Sequence, residues 1–285
     1  MNRIILGLLL FTTSCTHSIK PTAQPIFVSI VPLKYMVEQI VAPGSSIEVL
    51  APETSSPESY EPTVRQIQAL ADARAYITTG LIDFEQVLLE KIPEVAPKTP
   101  VWNVSQQIDL LNESEENGHT HGGIDPHIWL SPRRVARIGQ EIAQSLGQLE
   151  PDSAEVYRER AQAFAARIDT LDRRFRQMTE QAKRKQFAIG HTALTYLADD
   201  YGLEQIAIEA NGKEPSAMLI KQLIDSLQKA EIRAVFFQPQ TSDAATQTIV
   251  RELPDGRAVE FDPLAPDWMT NMFRLADSLQ VILNE

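Results

Sequence analysis

A single cysteine, Cys15, is all the thiol that 285 residues provide. One thiol can neither close an internal disulfide nor build a thiolate metal cluster. Basic residues are also scarce: 26 Lys and Arg face 38 Asp and Glu, for a formal net charge of −12. Nucleic acid demands clustered cations for its phosphates, so this balance argues against such a partner, and it is compatible with capture of cations. The apolar run at residues 4–11, "IILGLLLF", is too short to cross a bilayer. There is no His-Glu-x-x-His pair, no Gly-x-Ser-x-Gly elbow, no phosphate loop and no internal repeat. What remains, 43% hydrophobic and 22% charged, is the composition of a folded soluble protein, long enough for two compact lobes.

The start is organised differently from the rest. Arg3, the apolar run, small polar residues and then Ser14-Cys15 have the order and length of an export signal. This ending resembles a bacterial lipoprotein signal in which the cysteine is lipidated, except that Thr12 stands where that pattern usually has an aliphatic residue. The expectation is a signal peptide over residues 1–15 and a Pro-containing tether over 16–25. The protein would then be exported and held to the membrane through a lipid on Cys15, facing a periplasm or the cell exterior. An ordinary cleaved signal with an incidental cysteine is the alternative.

From Ile26 short β-rich runs alternate with amphipathic ones. "IFVSIV", "SIEVL", "AYITTG" and "PVWNV" read as strands, with helices near 33–41, 63–71 and 83–91 between them. "QFAIG", "EQIAIE", "RAVFFQ" and "RAVEF" form a second series, with a helix over "PSAMLIKQLIDSLQKA" that Ser216 can cap and whose apolar face is Leu219, Ile220, Leu223, Ile224 and Leu227. A last helix is expected near 266–283. This rhythm predicts an α/β protein of two (β/α)4 lobes with parallel sheets, at residues 26–151 and 184–285. Between them, Tyr157, Ala161, Phe164, Ile168, Leu171, Phe175, Met178 and Ala182 recur in steps of four and three with no Gly or Pro. That spacing predicts one long rigid helix over residues 152–183, packed along its own lobes in a monomer; a coiled-coil dimer is the rival use of the stripe.

Ligands of open parallel sheets gather beyond the carboxyl ends of the strands. Glu58 follows "SIEVL", His127 lies in "GGIDPHIWLSP" after "PVWNV", His191 follows "QFAIG" and Asp262 follows "RAVEF". Each lobe thus presents one imidazole and one carboxylate to an interlobe cleft, a complete donor set for a divalent transition metal. Taken singly, a histidine after a strand can be a hydrogen-bonded structural residue and an aspartate before Pro263 a turn former.

Several stretches are similar to those of the zinc and manganese solute-binding proteins that feed ATP-driven importers: "DPHIWLSPRRV", "GHTALTYLADDYGL", "GKEPSAMLIKQLID" and "VEFDPLAPDWMTNM". The resemblance spans nearly the whole chain after the tether. It implies two β/α lobes joined by a long helix, metal ligands at His127, His191 and Asp262, and a membrane permease of an ABC importer as partner. One departure is plain: in "PESYEPT" Glu58 occupies the position where the family has its first histidine, so a carboxylate would replace an imidazole. Glu61 and Asp125 are expected to brace the ligands. Zn2+ is the expected ion, with Mn2+ or Fe2+ second, because zinc outranks both in intrinsic affinity even when oxygen donors are added. Bound histidines must be neutral, so affinity is expected to weaken as pH falls through about 6.5. Two other classes stay open: a secreted metallohydrolase using His127, His191 and Asp262 with Glu58 as base, and a surface adhesin.

His119 and His121 in "NESEENGHTHGG" are an auxiliary candidate for collecting metal; the plainer reading is a polar loop with two solvated histidines. On that reading, deletion of residues 113–121 leaves the tight-site affinity unchanged in a competition titration.

Overall fold

The computed structural model describes residues 24–112, 123–209 and 215–285. The signal peptide with Cys15, nearly all of the tether, and His119 and His121 lie outside the described residues.

The first lobe runs β1 (Ile26–Ile30), α1 (Val31–Glu38), β2 (Ile47–Ala51), α2 (Val64–Ala69), β3 (Ala75–Thr78), α3 (Asp83–Val95) and β4 (Val101–Asn103). After α4 (Pro132–Leu149) and α5 (Ala154–Gln181) the second runs β5 (Gln186–Ile189), α6 (Thr195–Tyr201), β6 (Glu204–Ala207), α7 (Ala217–Lys229), β7 (Ala234–Phe237), α8 (Ala244–Glu252), β8 (Arg257–Glu260) and α9 (Trp268–Ile282). Both sheets are parallel, with orders β2-β1-β3-β4 and β6-β5-β7-β8, the same topology twice. β1 is buried at every position because it pairs on both edges and is covered on both faces, which is why "IFVSI" reads as a nearly continuous apolar run. In each order the first strand of the lobe sits inside the sheet, flanked by the second and the third. The crevice for a ligand therefore opens where the chain leaves the adjacent strands β1 and β3, or β5 and β7, in opposite directions.

α4 is an element the sequence reading did not place. Arg133, Arg134, Gln140, Glu141 and Gln144 dilute its apolar content, yet Val135, Ile138, Ile142 and Leu146 form one buried face. A short turn returns the chain into α5. Gly147 lies beside Ala154 and Gly139 beside the Phe164 ring, so the contacts run backward along α4 as α5 advances, and the helices are antiparallel. A Cβ on Gly139 would sit 3.0 Å from the Phe164 ring, and its absence lets the two helices approach.

The 28 residues of α5 extend about 42 Å at 1.5 Å per residue. Its stripe from Tyr157 to Met178 is buried within the chain, so it is not an exposed seam for a second copy. Near its start Arg160 donates to the carbonyls of Ile40 and Val41, and Arg167 reaches Gln39 Oε1 at 2.7 Å and the Tyr35 hydroxyl at 3.2 Å, all on the first lobe. Further along, Arg174 donates to Asp277 Oδ1 at 2.6 Å and Phe175 stacks on Tyr201 at 5.0 Å, both on the second lobe. One helix is thereby fastened to both bodies.

A second tie lies nearer the cleft. The Trp129 indole donates to the Pro263 carbonyl at 2.9 Å, and the Trp268 indole donates to the Trp129 carbonyl at 2.7 Å. Both rings are buried, so these bonds are shielded from water and join the segment after β4 to the segments around α9. α7 is looser than its stripe suggests: Ser216 caps it through the Leu219 N–H, but only Leu223 and Leu227 are fully buried, with Leu219, Ile220 and Ile224 half-covered. Among the described residues no helix is long and apolar enough to cross a membrane.

Phe175 is fully buried where α5 meets the second lobe. Phe175→Ala is expected to destabilise the protein by about 3–5 kcal/mol, read as a lowered denaturant midpoint.

Candidate metal centre

Glu58 sits in a single 3-10 turn, Pro57–Ser59, on the loop between β2 and α2. Proline fixes the entry to that turn, and a capping box fixes its exit: Thr63 Oγ1 accepts from the Gln66 N–H, while Gln66 Oε1 accepts from the Thr63 N–H at 2.9 Å. The same Gln66 accepts from the Tyr60 hydroxyl at 3.0 Å and donates to the Leu50 carbonyl at 2.9 Å, tying the loop to the end of β2. Tyr60 also packs edge-on against Phe84 at 5.6 Å. The Glu58 carboxylate is thus held in a defined place although it remains partly open to solvent.

His127 enters from the long segment after β4 and is buried. Asp125, itself buried, accepts on one oxygen both the His127 backbone N–H at 2.8 Å and the ring Nδ1 at 3.0 Å. Asp125 is fixed in turn: its carbonyl accepts from the Tyr196 hydroxyl at 2.7 Å and its N–H donates to Leu111 at 3.0 Å. His191 follows β5 in the other lobe, and its Nδ1 lies 3.0 Å from Glu209 Oε2. Glu209 is placed by its own N–H, which donates to the Gly190 carbonyl at 2.9 Å.

A carboxylate partner is an acceptor, so each histidine carries its proton on Nδ1 and turns Nε2 inward. Both Nε2 atoms meet the same oxygen: Glu58 Oε1 is 2.9 Å from His191 and 3.5 Å from His127. The two rings stand nearly edge to face, 5.4 Å between centroids. The ligand atoms of Glu58, His127 and His191 all lie within 4.8 Å of one another. Donors of a tetrahedral zinc with bonds of 2.0–2.2 Å are about 3.4 Å apart, so only small adjustments separate this cluster from a coordination shell. Three carboxylates around two imidazoles leave the site in need of a cation.

Without one, a proton serves. Burial disfavours charge on His191, but its hydrogen bonds to Glu209 and Glu58 outweigh that and raise its pKa from 6.5 to about 10. Burial likewise opposes the Glu58 carboxylate, yet the His191 bond and the nearby imidazoles bring its pKa below the ordinary value.

Asp262 is not brought into the cluster: its Oδ1 accepts from the Leu264 N–H at 2.9 Å and from Gln240 Nε2 at 2.7 Å, the turn-forming role open to an aspartate before proline. Glu61 is exposed, and Tyr60 and Gln66 hydrogen-bond within the loop. In the metal-free protein the proton on His191 persists well above pH 6.5. Asp125 stands against His127 as a brace. Glu209 was missed; the signal for it was the repeated topology, since β6 occupies in the second sheet the place of β2 in the first, so an acid after β6 corresponds to Glu58 after β2.

The profile of the family described as zinc-uptake complex component A, periplasmic (ZnuA), matches residues 26–281. The chain belongs to the ZnuA family. That family comprises solute-binding proteins of metal ABC importers rather than enzymes. Among its relatives, the zinc-binding lipoprotein AdcA of Streptococcus pneumoniae is 28% identical over 85% of this chain, which spans about half, 51%, of that protein. The high-affinity zinc uptake system protein ZnuA of Bacillus subtilis is 27% identical over 78% of this chain and 73% of its own length. A solved structure, a ZnuA deletion mutant with zinc bound, superposes with a TM-score of 0.84 at 34% identity, covering 93% of this chain and 99% of its own.

The pKa shifts predict a pH window for the metal-free protein. The raised His191 contributes stability fully below pH 6.5 and loses it as pH climbs toward about 10. The lowered Glu58 contributes above 4.5 and loses its contribution as pH falls through its folded value. In chelator, thermal stability relative to a His191→Gln variant is therefore greatest between about pH 4.5 and 6.5 and declines on the alkaline side, measured by melting temperature against pH.

Proposed function

We propose that the protein binds Zn2+ outside the cytoplasm and delivers it to the membrane permease of an ABC-type importer. The observation that carries this reading is the convergence of two Nε2 atoms, one from each lobe, on a single Glu58 oxygen, each ring backed at Nδ1 by a carboxylate. Zinc replaces the proton between Glu58 and His191 and adds a bond to His127, so the ion joins the loop after β2, the segment after β4 and the turn after β5. Asp262 is the reserve for the fourth position, reached only when it leaves Gln240. Zinc is preferred over Mn2+ and Fe2+ because imidazole suits it and its intrinsic affinity is higher, and the names of the relatives point the same way.

The wider assignment rests on the same reading. Residues 1–15 direct export, Cys15 carries a lipid, and residues 16–25 tether a monomer whose lobes, 26–151 and 184–285, are joined by 152–183, facing a periplasm or the exterior. The site acts in capture and release, not catalysis; metal-dependent turnover of simple esters, peptides or phosphates would refute that part.

His127→Ala and His191→Ala are expected to abolish tight zinc binding, and Asp125→Ala and Glu209→Ala to weaken it by about 10–100-fold, in titrations against a chromophoric chelator. Glu58→Gln weakens binding as well; affinity equal to the parent removes Glu58 from the ligand set. Metal analysis of protein purified without added metal, with zinc and manganese in competition, tests the choice of ion.

A further inference from the structure

We infer that Gln240 is a specificity-determining residue: it holds Asp262 outside the metal site and so limits the protein donors to two nitrogens and one oxygen. The inference rests on the metal-binding reading above. Gln240 follows β7 and lines the same pocket as Glu58, His127 and His191. Its Nε2 donates to Asp262 Oδ1 at 2.7 Å and to the Glu53 carbonyl at 3.0 Å, which places the amide across the cleft between the second lobe and the loop after β2. Both partners are acceptors, so the orientation of the amide is fixed and its Oε1 lies on the other side. That Oε1 is buried and has no partner among the described residues. A buried amide oxygen left unpaired is unfavourable in itself.

Asp262 Oδ1 is doubly restrained, by Gln240 and by the Leu264 N–H. The second restraint comes from its own turn and travels with it; the first comes from the turn after β7 and fixes where the carboxylate points. Removing the Gln240 amide frees the carboxylate to turn toward the cleft and supply a second oxygen. A set of two nitrogens and one oxygen suits zinc, which accepts low coordination numbers, whereas an additional hard carboxylate favours manganese. Gln240 thereby biases the pocket toward zinc by withholding a ligand.

The test uses the full chain with Gln240→Ala and the volume-preserving Gln240→Leu, each alone and combined with Asp262→Asn, after melting curves confirm parent-like folding. Zn2+ and Mn2+ are titrated in competition, and Co2+ is bound as a visible probe. The expected result is a gain of about tenfold in Mn2+ relative to Zn2+ in both single variants, with weaker Co2+ absorption as coordination number rises, and no gain in the combined variants. An unchanged metal ratio in the single variants overturns the proposal, as does an equal change with Asp262→Asn present, because a purely structural role of Gln240 would not depend on that carboxylate. A parent chain that binds no zinc defeats the metal reading and this inference together; one that binds zinc while the variants keep its metal ratio defeats the role of Gln240 alone.

Discussion

One carboxylate oxygen shared by two imidazoles is the constraint around which this molecule is arranged. Glu58 Oε1 comes from one sheet's loop, His127 from the end of the same lobe and His191 from the other lobe. Three such groups meet without an ion only if each is held from behind. The backing is complete: Gln66 and Tyr60 hold the Glu58 loop, Asp125 holds His127, and Glu209 holds His191. A donor cluster so fixed has little ordering entropy left to lose when an ion arrives, which is how preorganisation becomes affinity.

The larger architecture serves the same end. α5 is anchored by arginines on both lobes, and the Trp129 and Trp268 bonds fasten the lobes beside the site with buried hydrogen bonds. Lobe movement is therefore confined to what a continuous helix and a buried tie allow. Local rearrangement of loops around the cleft is the more economical way to admit and release an ion, and the Gln240 bridge between Asp262 and Glu53 is one contact that such a rearrangement would exchange.

Much of the fold was legible because the strands are buried on both faces and the α5 stripe is strictly periodic; each is a pattern that burial imposes directly on residue type. α4 escaped although Val135, Ile138, Ile142 and Leu146 recur in helical steps, with exposed arginines and glutamines occupying the positions between them. In the site, His127, His191 and Glu58 stood out by following strands. Glu209 escaped because an acid at a strand end is common, and only its pairing with His191, 18 residues back in the chain, gives it meaning.

The sequence alone determined the two α/β lobes, the joining helix and the candidate donors, since periodicity and residue chemistry are local properties. The tertiary structure alone decided which donors meet. Asp262 has the right chemistry and the right strand end, yet a glutamine from the turn after β7 and its own turn hold its oxygen elsewhere. The proton on His191 was decided there too, because a pKa near 10 arises from two carboxylates brought to opposite sides of one ring, and no spacing along the chain encodes that encounter.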